Sequence, residues 1–155
     1  GLIFVTGGFP KKHILTIDPT GSGNITKTKF IKWRHYRRGV SYVPSPIAVG
    51  PYFMMVSDNG IGSCFDAATG KKFWQERMGR HYSASLVTTG KHVYFLNDDG
   101  ICTVVKPGEK YEVTSVNRLG EGTYASPAIS QGQIFIRGEK HLFCIGKSTK
   151  ALSSK

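Results

Sequence analysis

The sequence lacks the features that mark a membrane-spanning chain or a metal-binding cysteine framework. It has 3 cysteines in 155 residues, with no CxxC pair and no zinc spacing. No stretch reaches the length of about 18 apolar residues that a transmembrane helix needs. The start, GLIFVTGG, has no basic segment before its short apolar run. We therefore expect no transmembrane segment and no signal peptide in this chain, whose start reads as a strand of a longer protein.

Acidic residues are scarce. Lys and Arg total 21 against 10 Asp and Glu, a formal net charge of +11. Such an excess favours contact with anions, including nucleic acid, anionic polysaccharide and membrane surfaces. Only residues 32–38 form a local basic cluster, and no nucleic-acid-binding motif is present, which argues against a nucleic-acid partner. The plainer interpretation is that the acidic counterpart of this basic segment lies elsewhere in a parent protein.

Helical periodicity is also missing, and short apolar runs separated by turn residues take its place. Asp58-Asn59-Gly60 predicts a tight type I′ turn between two such runs. The segment 97–101 repeats the segment 57–61 after 40 residues, from Gly60 to Gly100. The chain is therefore a series of similar short units.

A unit of four short antiparallel strands that recurs about every 40 residues is typical of a β-propeller blade. We predict an all-β fold, a partial propeller of about four four-stranded antiparallel blades. The predicted blades are residues 1–39, 42–79, 82–120 and 123–146, followed by a polar C-terminal tail at 147–155. Residues 25–34 are predicted to form the closing strand of the first blade.

Large and small residues recur at matching points of these units. Trp33 and Trp74 are predicted on outer strands, where they fill the widening gap between blades. Cys64 and Cys144 fall at equivalent points of the repeat, with Val104 between them, so they and Cys102 are predicted to be core thiols.

The number of units leaves the ring open. Slightly under four units is fewer than most closed propellers contain, since rings typically have about four to eight blades. Either the chain is half of a larger propeller, or copies associate to complete a ring. An open half exposes an apolar sheet face, which favours a homodimer.

Two patterns resemble a known family. The segment DAATGKKFW at 66–74 and the Ser-Pro-x-Ile-x-x-Gly pattern, complete at 126–132 and one residue shorter at 45–50, resemble pyrroloquinoline-quinone-like (PQQ-like) propeller repeats. These repeats occur in quinoprotein alcohol dehydrogenases and in a lipoprotein component of the outer-membrane β-barrel assembly machine. Residues 42–75 are more similar still to secreted bacterial propeller proteins, of the type frequent in planctomycetes, that have no assigned activity. The resemblance implies a periplasmic or secreted location.

The same resemblance raises the question of an enzyme. Quinone dehydrogenases of this kind use an adjacent-cysteine disulfide, a calcium site and a catalytic aspartate. This chain has no adjacent cysteines, and Asp58, Asp66, Asp98 and Asp99 lie at turn positions where aspartate is a common structural residue. We predict no cofactor, PQQ being implied by the family alone. The question of an enzyme stays open, with these residues arguing against one.

The candidate binding residues lie in the connections between blades, which gather on one face of a propeller. Arginine suits carboxylate, sulfate or phosphate, and aromatic rings suit the face of a sugar or base. The alternative is that these side chains pack over blade edges. The candidate set is Arg37, Arg38, Tyr42, Arg80, His81, Tyr82 and Tyr124.

The function expected from these features is a non-catalytic scaffold that binds a protein or an anionic ligand on its loop face. The alternative is a fragment of a PQQ-dependent dehydrogenase-like protein that lacks its catalytic groups.

Overall fold

The computed structural model describes residues 1–7, 11–36 and 39–146. In these ranges the chain forms four antiparallel sheets and no helix. The four sheets, here called units 1 to 4 in chain order, confirm the predicted all-β partial propeller. Nothing in the described ranges is a helix long and apolar enough to cross a membrane.

Each unit is a simple up-and-down sheet of consecutive strands. Unit 1 contains β1 (Ile3–Gly7), β2 (His13–Ile17) and β3 (Ile31–Tyr36). Unit 2 contains β4 (Ile47–Val49), β5 (Tyr52–Val56), β6 (Ile61–Asp66) and β7 (Lys72–Arg77). Unit 3 contains β8 (Val87–Thr88), β9 (Val93–Leu96), β10 (Ile101–Lys106) and β11 (Glu112–Arg118). Unit 4 contains β12 (Ala128–Ser130), β13 (Gln133–Arg137) and β14 (Leu142–Ile145).

The two terminal units have three strands each among the described residues, whereas the two central units have four. Unit 1 has the second to fourth strands of the repeat. Its Trp33 lies opposite Thr16 as Trp74 lies opposite Cys64, and both pairs are followed by a register shift. Unit 4 has the first three strands. The innermost strand of unit 1 and the outermost strand of unit 4 are therefore not among the described strands.

The closing strand of unit 1 is shorter than predicted, since β3 begins only at Ile31. Residues 25–30 form turns instead. The Asn24 side chain accepts hydrogen bonds from both the backbone N–H and the hydroxyl of Thr26, at 3.1 and 2.7 Å. The Thr28 hydroxyl donates to the carbonyl of Ile25 at 2.9 Å. These local bonds satisfy the backbone groups that a strand would have used.

The hydrophobic core consists of layers between adjacent units, which we call seams 1/2, 2/3 and 3/4. Each of the three buried clusters spans one seam. Seam 1/2 contains Ile14, Trp33, Val40, Phe53, Met55, Phe65 and Ala67. Seam 2/3 contains Met54, Val56, Cys64, Trp74, Tyr82, Leu86, Val93, Phe95 and Val105. Seam 3/4 contains Ala84, Leu96, Cys102, Val104 and Ile136.

The two tryptophans fill the outer parts of their seams, as predicted, with relative exposures of 8% for Trp33 and 7% for Trp74. The Nε1 of Trp33 donates to the carbonyl of Ala67 at 3.0 Å, and that of Trp74 donates to the carbonyl of Gly108 at 3.1 Å. Each bond reaches the turn before the outer strand of the next unit. Gly70 makes room for Trp33, because a Cβ there would lie 2.6 Å from the indole Cδ2.

The cysteine prediction holds for two of the three thiols. Cys64 and Cys102 are buried, and desolvation raises the pKa of the Cys64 thiol to about 12 and that of Cys102 to about 11. Cys144 is exposed, which corrects its prediction as a core thiol. It does lie at the position equivalent to Cys64, opposite Phe135 as Cys64 lies opposite Met54. It is exposed because no described sheet covers that side of unit 4.

Candidate functional site

The turns between the second and third strands of each unit meet the connections between units on one side of the molecule, here called the loop face. The N–H of Tyr82 donates to the carbonyl of Asp58 at 3.0 Å, and that of Thr123 donates to the carbonyl of Asp98 at 3.0 Å. The N–H of Asp98 in turn donates to the carbonyl of His81 at 2.9 Å. Backbone bonds thus fix the loop face to the sheets.

The turn aspartates hold the connections in place. Asp58 Oδ1 accepts a hydrogen bond from the N–H of Val43 at 2.8 Å, and its Oδ2 pairs with the Lys12 ammonium at 2.8 Å. Asp98 accepts from the N–H and the hydroxyl of Ser83 at 2.9 and 3.0 Å. These bonds support the structural role that the sequence predicts for both residues.

The Lys12 ammonium and the N–H of Val43 stabilise the negative charge of the Asp58 carboxylate. Burial acts to raise the pKa of the Asp58 carboxyl, but hydrogen bonds from Lys12 and from the backbone of Val43 outweigh it. The pKa therefore lies below its usual range. The ionised form is the one that holds the first connection.

The predicted binding residues are only partly gathered. Arg37 and Arg38 lie outside the described residues. Tyr42 is 59% exposed, and the Lys12 ammonium lies 5.7 Å from the centroid of its ring. Arg80 is exposed but does not line the cleft that contains its neighbour His81.

Tyr82 was wrongly predicted as a binding residue, because it is only 2% exposed. Its ring belongs to the core of seam 2/3, and its hydroxyl donates to the carbonyl of Met78 at 3.3 Å. Desolvation raises the pKa of this phenol well above its usual range. Thr123 occupies the same position in the next connection and is also buried, whereas Tyr42, at that position in the first connection, is 59% exposed.

His81 and Tyr124 do come together, in an open cleft of about 580 Å³ on the loop face of seam 3/4. Tyr124 is 64% exposed there. The expected basic opening is not what this cleft provides, because its charged lining is mostly acidic. The carboxylates that line it are Asp98, Asp99, Glu121 and Glu139.

This acidic cleft was missed by the sequence reasoning, which followed the basic excess. The sequence does contain a signal for it. The chain has only 10 acidic residues, and four of them lie in the turns and connections around seam 3/4. They come from three separate segments, and only the backbone bonds between turn and connection bring them together. Among the described residues, no group of three or more His, Cys, Asp or Glu is arranged to hold a metal ion.

Glu121 also fixes the local backbone. Its Oε1 accepts from the N–H groups of Lys140 and His141 at 3.2 and 3.0 Å, and its Oε2 lies 2.8 Å from Nδ1 of His141. The hydrogen bond from the His141 ring, with those from the two backbone N–H groups, outweighs desolvation and lowers the pKa of Glu121. Its role on the loop face of seam 3/4 resembles that of Asp58 at unit 2.

A second cavity, of about 290 Å³, opens within seam 3/4. Its lining is mostly apolar and comes from the facing sheets of units 3 and 4. The residues are Tyr94, Cys102, Asn117, Arg118, Leu119, Pro127, Ile134, Ile136 and Ile145. At the position of the two tryptophans unit 3 has Ser115, which lies opposite Val104 as Trp74 lies opposite Cys64. Among the described residues, the outer part of this seam therefore has no tryptophan.

Neither a protein-family model nor a curated protein sequence matches the chain. Solved structures do. One similar structure is BamB from Moraxella catarrhalis, with a TM-score of 0.70 and 14% identity over 94% of this chain and 42% of that chain. Another is a europium-containing methanol dehydrogenase, with a TM-score of 0.59 and 14% identity over 79% of this chain and 23% of that one.

The chain thus spans about two fifths of BamB and about a quarter of the dehydrogenase. At this identity the likeness shows the fold. The four antiparallel sheets and their strand order agree with it. The chain has the fold of the PQQ-like β-propellers, of which it forms four consecutive units.

Proposed function

We propose that the chain is part of a non-catalytic β-propeller scaffold that binds another protein through its loop face. The observation that carries this proposal is the open cleft in which His81 and Tyr124 lie among four carboxylates. Exposed tyrosine is common at protein interfaces, because its ring offers a large contact area and its hydroxyl a hydrogen bond. The carboxylates favour a partner segment that carries Lys or Arg.

An anionic ligand is the other partner that the sequence predicts. It would suit the exposed Arg80, or Lys12 beside Tyr42, better than the acidic cleft. We place it second, because four carboxylates repel an anion from the cleft. We also propose a periplasmic or secreted location, which rests on the resemblance of the repeats to those of secreted propellers.

The test uses two probes of opposite charge. A short arginine-rich peptide and inorganic sulfate are titrated into the chain by calorimetry at low salt. We expect the peptide to bind, and the double substitution Asp99→Asn with Glu139→Gln to weaken it several-fold. Tyr124→Ala should weaken it further. The matched control, Glu109→Gln with Glu112→Gln, removes the same charge elsewhere and should leave binding within about twofold. Equal loss in the control would contradict the proposal, and sulfate binding without peptide binding would favour the anionic ligand.

The second candidate is a fragment of a PQQ-dependent dehydrogenase-like protein. It is favoured by the structural likeness to a methanol dehydrogenase. The residues do not fit the cofactor, since the three cysteines lie in separate units and the described residues hold no cluster suited to calcium. Equilibrium dialysis of PQQ with calcium chloride should show no specific uptake. Saturable uptake by the chain would favour the enzyme fragment.

We propose, finally, that the scaffold self-associates, since both of its ends expose apolar side chains. Ile3 and Val5 are 48% and 38% exposed on unit 1, Leu142 is 69% exposed on unit 4, and Cys144 beside it is also exposed. Light scattering behind a sizing column tests this proposal. The expected mass is twice the 17.0 kDa of one chain, whereas a monomer at every concentration would contradict it.

A further inference from the structure

Every unit has two different faces, because successive side chains of a strand point to opposite sides. We call the face that points to the preceding unit the leading face and the other the trailing face. In unit 2 the leading face carries Phe53 and Met55, which belong to the core of seam 1/2. Its trailing face carries Met54 and Cys64, which belong to the core of seam 2/3. Each seam inside the chain thus joins a trailing face to a leading face.

The leading face of unit 1 has no unit before it among the described residues. Its strands place Ile3 opposite Ile17 as unit 2 places Phe53 opposite Phe65. Phe53 is 1% exposed, but Ile3 is 48% exposed. Val5 is the next leading residue on that strand. An apolar surface built for a seam is therefore open to solvent at unit 1.

The trailing face of unit 4 is open in the same way. Phe135 lies opposite Cys144, in the positions of Met54 and Cys64 of unit 2. Met54 and Cys64 are each 0% exposed, while Cys144 is exposed. Leu142 on the same face is 69% exposed. The two open surfaces are thus of opposite kinds, one leading and one trailing.

We infer that the leading face of unit 1 in one copy packs against the trailing face of unit 4 in a second copy. The inference rests on the proposed self-association and specifies its geometry. Head-to-tail contacts of this kind close into a ring when the rotation allows it. Two seams between the copies would then enclose eight sheets, four from each.

A second copy suits the two faces better than a like-with-like contact does. The three seams inside the chain all join a trailing face to a leading face. A contact between two leading faces would instead pair surfaces that never meet within the chain. The second copy continues the established pattern without requiring any residue outside the described units.

The seam between copies lacks two contacts that the internal seams have. The N–H of Ser45 donates to the hydroxyl of Ser85 at 3.0 Å, and the N–H of Ser85 donates to that of Ser126 at 2.9 Å. The described part of unit 1 has no innermost strand to continue this series from Ser126. The outermost strand that carries tryptophan in units 1 and 2 is likewise not among the described strands of unit 4. Association should therefore be reversible and depend on concentration.

Two charged substitutions and a mixture test the pairing by sedimentation velocity. Val5→Lys changes only the leading face of unit 1, and Leu142→Lys only the trailing face of unit 4. Each variant alone should be monomeric, because every seam between copies needs both faces. An equimolar mixture should form dimers again, through the intact trailing face of the first variant and the intact leading face of the second. Val43→Lys, at a 55% exposed valine on a connection, is the control and should remain dimeric.

The outcomes separate this inference from the self-association on which it rests. If the unmodified chain stays monomeric, both the self-association and the pairing of the two faces are overturned. The two faces would then be covered by other parts of a longer chain. A dimer that survives both substitutions overturns the face assignment alone. Loss of the dimer in one variant only, with no recovery in the mixture, indicates a like-with-like contact and also overturns it. Circular dichroism of each variant verifies that it is folded.

Discussion

Seams 2/3 and 3/4 lie on the two sides of the same sheet, unit 3, and they are closed to different extents. The buried core of seam 2/3 extends to its outer end, where Trp74 packs and donates to the carbonyl of Gly108. Seam 3/4 has Ser115 at the corresponding place and a cavity of about 290 Å³. All seven residues of β11 are exposed. The alternation of strand residues therefore builds the buried core of both seams, and in seam 2/3 one large residue on the outer strand extends that core outward.

The largest effect should come from removing that residue. We expect Trp74→Ala to lower the free energy of unfolding by about 3–5 kcal/mol, because it opens a cavity in the packed seam. Trp74→Phe keeps an aromatic ring but loses the bond to Gly108, so it should cost less. Urea unfolding of the three proteins gives the comparison. A loss under about 1 kcal/mol for Trp74→Ala would mean that seam 2/3 does not depend on its outer end.

A matched pair on one strand makes the comparison of the two seams direct. Val104 and Val105 are neighbours on β10, and their side chains point into seam 3/4 and seam 2/3 respectively. Val105→Ala should cost about 1.6 kcal/mol, from about 0.8 kcal/mol for each buried methyl-sized group. Val104→Ala should cost less, since it is 6% exposed against 0% for Val105 and its seam already contains a cavity.

Both valine variants can be measured by urea unfolding under identical conditions, and each serves as the control of the other. Equal losses would show that the cavity in seam 3/4 does not loosen the packing around Val104. A larger loss at Val104 would reverse the comparison.

The sequence predicts features that depend on adjacent residues better than features that depend on residues far apart in the chain. The 40-residue spacing of the Asp-x-Gly turns predicts the units, because a tight turn depends on a few adjacent residues. The position of Tyr82 could not be predicted from its neighbours in the repeat. Tyr42, three residues before Ser45, is exposed, while Tyr82, three residues before Ser85, is buried in seam 2/3. The burial of a connection residue depends on the unit that packs over it.

The candidate site shows the same limit more strongly. His81 and Tyr124 were predicted to share an opening, and they line one cleft. The acidic character of that cleft depends on carboxylates from separate segments, such as Asp99 and Glu139, whose proximity follows from contacts between turns and connections. Net charge carries no such information, because it averages over the whole surface.

The hydrogen-bonded carboxylates of the loop face should make the free energy of unfolding depend on pH. Asp58 and Glu121 both have pKa values below their usual ranges in the folded chain. A carboxyl with a lowered folded pKa contributes stability above its unfolded pKa, and that contribution is lost as the pH falls through the folded value. We therefore expect the free energy of unfolding to decrease progressively below about pH 4, the usual range of these groups.

Asp58→Asn should reduce stability at neutral pH and also flatten this acid-induced decrease, whereas a substitution that only weakened packing would shift the whole curve. Glu121→Gln tests the loop face of seam 3/4 in the same way. We expect the smaller change there, because the Lys12 side chain that pairs with Asp58 is 31% exposed, whereas the His141 side chain that pairs with Glu121 is 70% exposed and more accessible to solvent. Chemical unfolding at a series of pH values gives both curves, and a parallel displacement of either would contradict the assigned role.

The smallest expected effect is a difference in thiol reactivity between equivalent positions of two units. Its measurement does not alter the stability of the chain. Cys64 and Cys144 occupy equivalent positions, but Cys64 is buried in seam 2/3 and Cys144 is exposed on the trailing face of unit 4. Reaction with an excess of Ellman's reagent at pH 8 should therefore modify one thiol rapidly. Cys64 and Cys102 should react only as the chain unfolds, because burial raises both of their pKa values. Cys144→Ser should remove the fast phase. Three equally fast thiols in the native chain would show that the seams open readily, and protection of Cys144 at high chain concentration alone would indicate that a second copy covers its face.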